Sequence, residues 1–305
     1  MAAETEHEHN AHHADHGGHG AHAVNPLDPR EVFKHVEDSP ELHVPQFMAP
    51  EGSHGHIAIP QPFAGKLPFE FKLTKFMVIE LAVAILMVVF FVGLARALKG
   101  GTIPRGRFRN LLEAMLLYFR DSVARPCIGH HDGDKFVPFL WTIFFFILGC
   151  NLFGMIPWMG SPTGSLSVTG TLALITFLVV SVSGMKKMGA VGFWKAQVPH
   201  MDVPGPLKIV LVPMIFAIEV FGLIVKHGVL AVRLLANMMG GHVVLAVILA
   251  FIAASAQSLW WWGVMPASVL GATALSMLEL FVAFLQAYIF TFLSALFIGM
   301  AVHPH

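Results

Sequence analysis

Residues 76–98 form an apolar run of 23 residues, with Glu80 near one end and Arg96 near the other. At 1.5 Å per residue a helix of that length covers the roughly 30 Å hydrocarbon core of a bilayer. Two later stretches are about twice as long. Residues 209–254 contain no soluble loop, and residues 259–302 are interrupted mainly by Pro266 and Gly271. One upright span needs about 20 residues, so each stretch is either two short spans or one strongly tilted helix. The cluster Trp260, Trp261 and Trp262 between them suits a turn at the membrane interface, where indole rings prefer to sit. Composition agrees. Charged residues are 12% of the chain, against roughly 25% in soluble domains. Hydrophobic residues are 55%, and 26 Phe and 16 Met exceed what one soluble core could hide. A soluble enzyme and a nucleic-acid binder are excluded as whole-chain readings. The expected fold is an all-α integral membrane protein.

Two further spans are expected at about 136–158, interrupted by Asn151 and closed by Pro157, and at about 168–185. Arg96, Lys99, Arg105, Arg107 and Arg109 follow the first span with no acid before Glu113, and Lys186, Lys187 and Lys195 follow the third. The positive-inside rule puts those ends in the cytoplasm. It puts the N-terminus outside the cytoplasm and the C-terminus within it. Residues 107–128 mix apolar and charged positions as an interfacial amphipathic helix does. Residues 1–72 read as a His-rich, disordered extracytoplasmic tail and lead-in, and 73–305 as the membrane domain. His7, His9, His12, His13, His16, His19 and His22 could chelate a metal weakly, but their irregular spacing favours a solvated tail. No apolar run there is long enough for a cleaved signal peptide. Cys127 and Cys150 match neither a disulfide framework nor a zinc pattern, and no metal site is expected.

Polar residues inside the two long stretches carry the functional information: Glu219, Lys226, Arg233, Asn237, His242, Glu279 and Gln286. A charge at bilayer depth costs about 2.5 to 3.5 kcal/mol even on permissive scales, so these groups must face protein, water or one another. On a helix, Glu219 and Lys226 point within roughly 40° of Arg233, and Asn237 follows one turn later on the same side. His242 points roughly the opposite way unless Gly240–Gly241 bends the helix. Glu279 and Gln286, seven apart, share a face of the second helix. Arg233 is a fixed cation with no acid three or four residues away, so its counter-charge must come from elsewhere in the fold or from a partner. Glu and His can exchange protons, which suits an ion path. Glu219 with Lys226 fits either that path or a structural charge pair.

The segment Val232-Arg233-Leu234-Leu235-Ala236-Asn237-Met238-Met239-Gly240-Gly241-His242 closely resembles the signature of subunit a of F-type ATP synthases of bacterial type. Phe136-Val137-Pro138 through Asn151-Leu152-Phe153-Gly154-Met155-Ile156-Pro157 is similar to that family's second span, and Leu285-Gln286-Ala287-Tyr288-Ile289-Phe290 to its last helix. The resemblance covers about residues 74–301. It implies that Arg233 is the essential coupling residue and that Glu219, His242, Glu279, Asn237 and Gln286 line the proton path. Lys226 and Asn151 would be structural or part of the path. His242 and Glu279 appear in the order found in mitochondrial members, exchanged relative to some bacterial ones. The family's usual Asp and Asn near 165–167 are Ser165 and Ser167 here, so that loop offers no carboxylate. The implied function is a proton-channel stator with two aqueous half-channels against a rotating ring of c subunits, with a b-subunit peripheral stalk and the rest of the complex as further partners. No cofactor and no catalytic activity of its own are implied, and the chain has no G-x-x-x-x-G-K-[ST] phosphate loop. A bacterial inner membrane is the expected location.

Two rival readings have distinct signatures. A secondary transporter should show internal repeats with broken helices in both halves, and none is visible. A haem carrier needs axial ligands, for which His227 and His242 are the available pair.

Overall fold

A computed structural model describes residues 38–39, 41–43, 56–59, 73–98, 107–156, 160–197, 205–256 and 258–303. The His-rich stretch at 7–22 lies outside the described residues. Ahead of the membrane domain, β1 (Glu41–His43) pairs antiparallel with β2 (His56–Ala58), Leu42 opposite Ile57. Every other regular element described is a helix.

The helices are α1 (Lys75–Leu98), α2 (Arg107–Tyr118), a π-helical segment (Phe119–Ala124), α3 (Arg125–Ile128), α4 (His130–Gly154), a 3-10 turn (Pro162–Gly164), α5 (Leu166–Met188), α6 (Ala190–Ala196), α7 (Gly205–Ser255) and α8 (Trp261–Val302). Five of them, α1, α4, α5, α7 and α8, are long and apolar enough to cross a membrane. The first backbone N–H groups of α1 find acceptors upstream: Lys75 donates to the Ser39 carbonyl (3.0 Å) and Phe76 to the Asp38 carboxyl (3.4 Å).

Helix α8 is the hub, packed by α4, α5, α7 and α3. Its buried face is rich in small residues, among them Ala283, Ala287, Ala295, Gly299 and Ala301, which let neighbouring backbones come close. A methyl on Gly299 would strike the Cys127 carbonyl, so α3 rests directly on the α8 backbone. Larger side chains fill the remaining core: Leu140, Phe144 and Ile147 from α4, Phe119 and Val123 from the π segment, Leu230 and Leu234 from α7. By contrast α1 touches the bundle along one narrow stripe, Phe76, Ile79 and Val83 at helical spacing, against α4.

Several boundaries differ from the sequence expectation. The second span starts at His130 rather than near 136, because its polar first turns are held by ion pairs: Asp132 accepts from Lys135 (2.8 Å) and Lys187 (2.7 Å), and Asp134 from Arg125 (3.0 Å). It ends at Gly154, where Met155 and Ile156 tighten the last turn by donating to carbonyls three residues back. The amphipathic stretch 107–128 is helical throughout but changes pitch, passing through the π segment before Gly129 breaks it. Gly129 stands at φ 99°, a left-handed conformation that a side chain would strain. On the outer face of this stretch the Arg120 guanidinium, bonded at 3.0 Å, holds the Asp121 carboxyl below the usual carboxylate range, and Arg125 adds to the effect. Helix α6 was not expected; it is anchored by Phe193, buried against Gly184.

The open choice for the long stretches is resolved as one helix each. Helix α7 has 51 residues, roughly 76 Å if straight, and α8 has 42. Upright, either would overrun a roughly 30 Å core.

Candidate functional site

Helices α7 and α8 run antiparallel as the most closely packed pair in the described residues, and their register sets the site. Well inside both helices, Gly241 of α7 faces Glu279 of α8: a Cβ at 241 would collide with the Glu279 carboxyl. Further along, the His227 ring lies 5.0 Å from that of Phe297. At a second level, Glu219 and Met300 share the wall of one cavity.

The structure therefore brings Gly241 and Glu279, 38 positions apart in sequence, together, and His242 is the next residue along α7. The helix runs unbroken through Gly240–Gly241, and Gly241 provides the notch that the Glu279 carboxyl occupies. His242 Nε2 is enclosed, and no hydrogen-bond partner for it is found among the described residues. At the second level, Lys226 Nζ lies 3.7 Å from a Glu219 carboxylate oxygen, with both side chains nearly half exposed. They border a cavity of about 150 Å³, closed by Phe193, Gln197 and Phe297 among others. At roughly 30 Å³ per water it could hold a few molecules.

Between the two levels sit Arg233 and Asn237, both half-buried. Among the described residues no acid pairs with Arg233. Along α7, Glu219 is 14 residues before it and His242 nine after, about 21 and 14 Å. Gln286 of α8 is buried. The surface around Arg233 is apolar and outward-facing: Phe221, Val225, Val229 and Val232 are all exposed. In the most apolar window of α7 only 6% of residues are buried, against 50% in α8.

Asn151 occupies a position of its own. It is fully buried, donates its amide to the Ala283 carbonyl on α8 (3.2 Å) and accepts from the Thr163 hydroxyl (2.7 Å), which is also 2.8 Å from Ser161 Oγ. Ala283 is one turn after Glu279 and one before Gln286. This polar strut thus ties the 3-10 turn, the end of α4 and the stretch of α8 between Glu279 and Gln286 together. Sequence reading singled out Asn151 but missed Thr163 and Ser161; their placement beside two turn formers, Pro162 and Gly164, was the available signal. Ser165 and Ser167 bond each other at 2.7 Å.

The haem alternative fails on geometry. His227 and His242 are fifteen residues apart on one continuous helix, about 22 Å, too far to ligate one iron. His227 is further engaged, its Nδ1 2.8 Å from the Leu223 carbonyl.

Fold and site define a polytopic membrane protein with titratable groups at two levels of a long helix pair and, between them, a cation that no acid among the described residues neutralises. Residues 76–299 match the ATP synthase A chain family, and the chain belongs to that family. It is 41% identical over 278 residues to ATP synthase subunit a of Myxococcus xanthus, covering 89% of this chain and 88% of that one. It is 40% identical over 278 residues to ATP synthase subunit a of Chloroherpeton thalassium, covering 89% and 76%. With ATP synthase subunit a of an Anaeromyxobacter strain it shares 40% identity over 262 residues, covering 83% and 60%. The chain is a proton-translocating membrane subunit of an ATP synthase.

Proposed function

We propose that Arg233 is the coupling group between two offset half-channels, and that its counter-charge is a membrane carboxylate on a rotating ring of c subunits passing along the exposed face of α7. The supporting observation is the half-buried Arg233 with no acid partner among the described residues, beside an apolar, outward-facing surface. A guanidinium stays charged at any reachable pH, and an opposite charge favours the ionised form of an approaching carboxyl. The ring acid then gives up its proton next to Arg233 on one side and is reprotonated on the other. The same fixed charge bars protons from passing straight between the half-channels.

The uptake side runs through Glu279 and His242, with Asn237 and Gln286 lining the approach to the ring. The release side runs through Glu219 and the cavity it shares with Lys226, whose ammonium keeps that carboxylate oriented. Asn151 holds α8 in register with the rest. The lysine- and arginine-rich ends face the cytoplasm, the N-terminus lies outside it, and the host membrane is a bacterial inner membrane. A b-subunit peripheral stalk holds the chain against the torque of the ring.

The test is ATP-driven acidification of inverted vesicles carrying Arg233→Ala, beside the unaltered protein, with ATP hydrolysis and assembly assayed in parallel. Acidification is expected to disappear while the complex still assembles. Normal pumping by an assembled variant would sink the coupling role.

A further inference from the structure

Helices α4 and α5 are consecutive spans, yet each packs along α8 rather than against the other. The gap between them, at the end where α5 finishes and α4 begins, is a cleft of about 640 Å³. Its inner walls are Phe136 of α4 and Leu178, Val179 and Val182 of α5, with Val302 of α8 at the floor. Leu178 and Val182 are exposed, so the trough opens to the membrane. Its rim has a different chemistry. Lys135, Lys186 and Lys187 crowd around a single acid, Asp132. That carboxylate already accepts from Lys135 and Lys187, with His303 Nε2 4.0 Å away. No hydrogen bond or ion pair of Lys186 is found among the described residues. Three ammonium groups against one carboxylate leave the rim with two uncompensated positive charges.

We propose that this cleft is a binding site for one anionic phospholipid of the leaflet at the lysine-bearing face, its phosphate and headgroup on the rim and an acyl chain in the trough. The two-part lining is the argument. The lysines sit at the ends of their helices, the depth at which lipid phosphates lie, and a basic pocket between spans is suited to anionic headgroups. A small soluble anion would make no use of the apolar trough, and an apolar partner helix would leave the rim charge unmatched. Asp132 serves to space the lysines: it fixes Lys135 and Lys187 on either side and leaves Lys186 free to meet a phosphate oxygen. The inference rests on the membrane placement of α4 and α5 and not on the half-channel assignment.

A photo-reactive amino acid at Val182 tests it, in the whole complex reconstituted into vesicles of equimolar phosphatidylglycerol and phosphatidylcholine. After illumination the adducts are identified by mass spectrometry, and proton pumping is measured in the same vesicles so that failure of the coupling scheme registers separately. The expected adduct is phospholipid, with phosphatidylglycerol favoured at least threefold, and the Lys135→Gln/Lys186→Gln pair should bring that ratio close to one. Equal capture of both lipids without those substitutions, or a preference that survives them, overturns the site. So does an adduct to another subunit, which would make the cleft a protein interface.

Discussion

Asn151 makes two hydrogen bonds in a fully buried place, and only one of them holds α4 to α8. Removing its side chain takes one of two partners from the Thr163 hydroxyl, which keeps Ser161 Oγ, and leaves the Ala283 carbonyl to its helical partner. A buried polar group left unpaired costs about 1–3 kcal/mol. Thr163→Val should therefore lower the thermal midpoint of the detergent-purified subunit, because it leaves the buried Asn151 Oδ1 without its donor, and Asn151→Ala should lower it as well, through loss of both bonds of the strut. The two should not add, since both act on one strut; a double-mutant cycle with coupling below about 0.5 kcal/mol would show that the strut is not a unit. Gly241 is under a different constraint, that of space. A methyl there must displace the Glu279 carboxyl. Gly241→Ala is expected to cut ATP-driven pumping severalfold, and adding Glu279→Asp, one methylene shorter, should restore part of it. If Gly241→Ala pumps normally, the notch has no bearing on the position of Glu279.

Among the elements, α3 and α8 meet closely where the Gly299 backbone lies against the Cys127 carbonyl. Overpacking a filled contact typically costs about 1–3 kcal/mol. Gly299→Ala should reduce the amount of folded subunit recovered from membranes, while Gly222→Ala, at a glycine with open space around it, should not. This level also separates what could be read from the sequence from what could not. Apolar length located all five spans, because a bilayer admits little else. It misjudged where α4 begins, since the charges of Asp132 and Asp134 look like a loop until Lys187, 55 residues away, and Arg125 are seen to pair with them. Apolar length also left α7 undecided between one helix and two, for no local signal distinguishes a single 51-residue helix from a tight hairpin between Gly-containing halves. Intramembrane charge singled out Arg233 and its companions as candidates. The contact from Asn151 to Ala283 spans 132 residues and involves a backbone carbonyl, which carries no side-chain signature at all.

For the molecule as a whole, the asymmetry between α7 and α8 is the main fact. In its most apolar window α8 is half buried by its own chain, while the corresponding window of α7 is almost all outward-facing, and α7 carries the cation. An apolar helix face needs no partner inside a lipid bilayer, but an unpaired guanidinium does, at about 2.5 kcal/mol or more. The need can be satisfied within the chain by design. Val229 is exposed and one turn before Arg233, and an acid four residues ahead of a cation on a helix is the favourable order. Val229→Glu should thus give Arg233 a permanent partner without disturbing the core. If the cation must remain available to a carboxylate arriving from outside, this variant should assemble yet pump far less than the unaltered complex, whereas Val229→Gln, polar but uncharged, should keep most of the activity. Equal activity of the Glu and Gln variants in vesicle acidification would mean that Arg233 does not depend on an external acid, and the unpaired charge would then require an internal explanation.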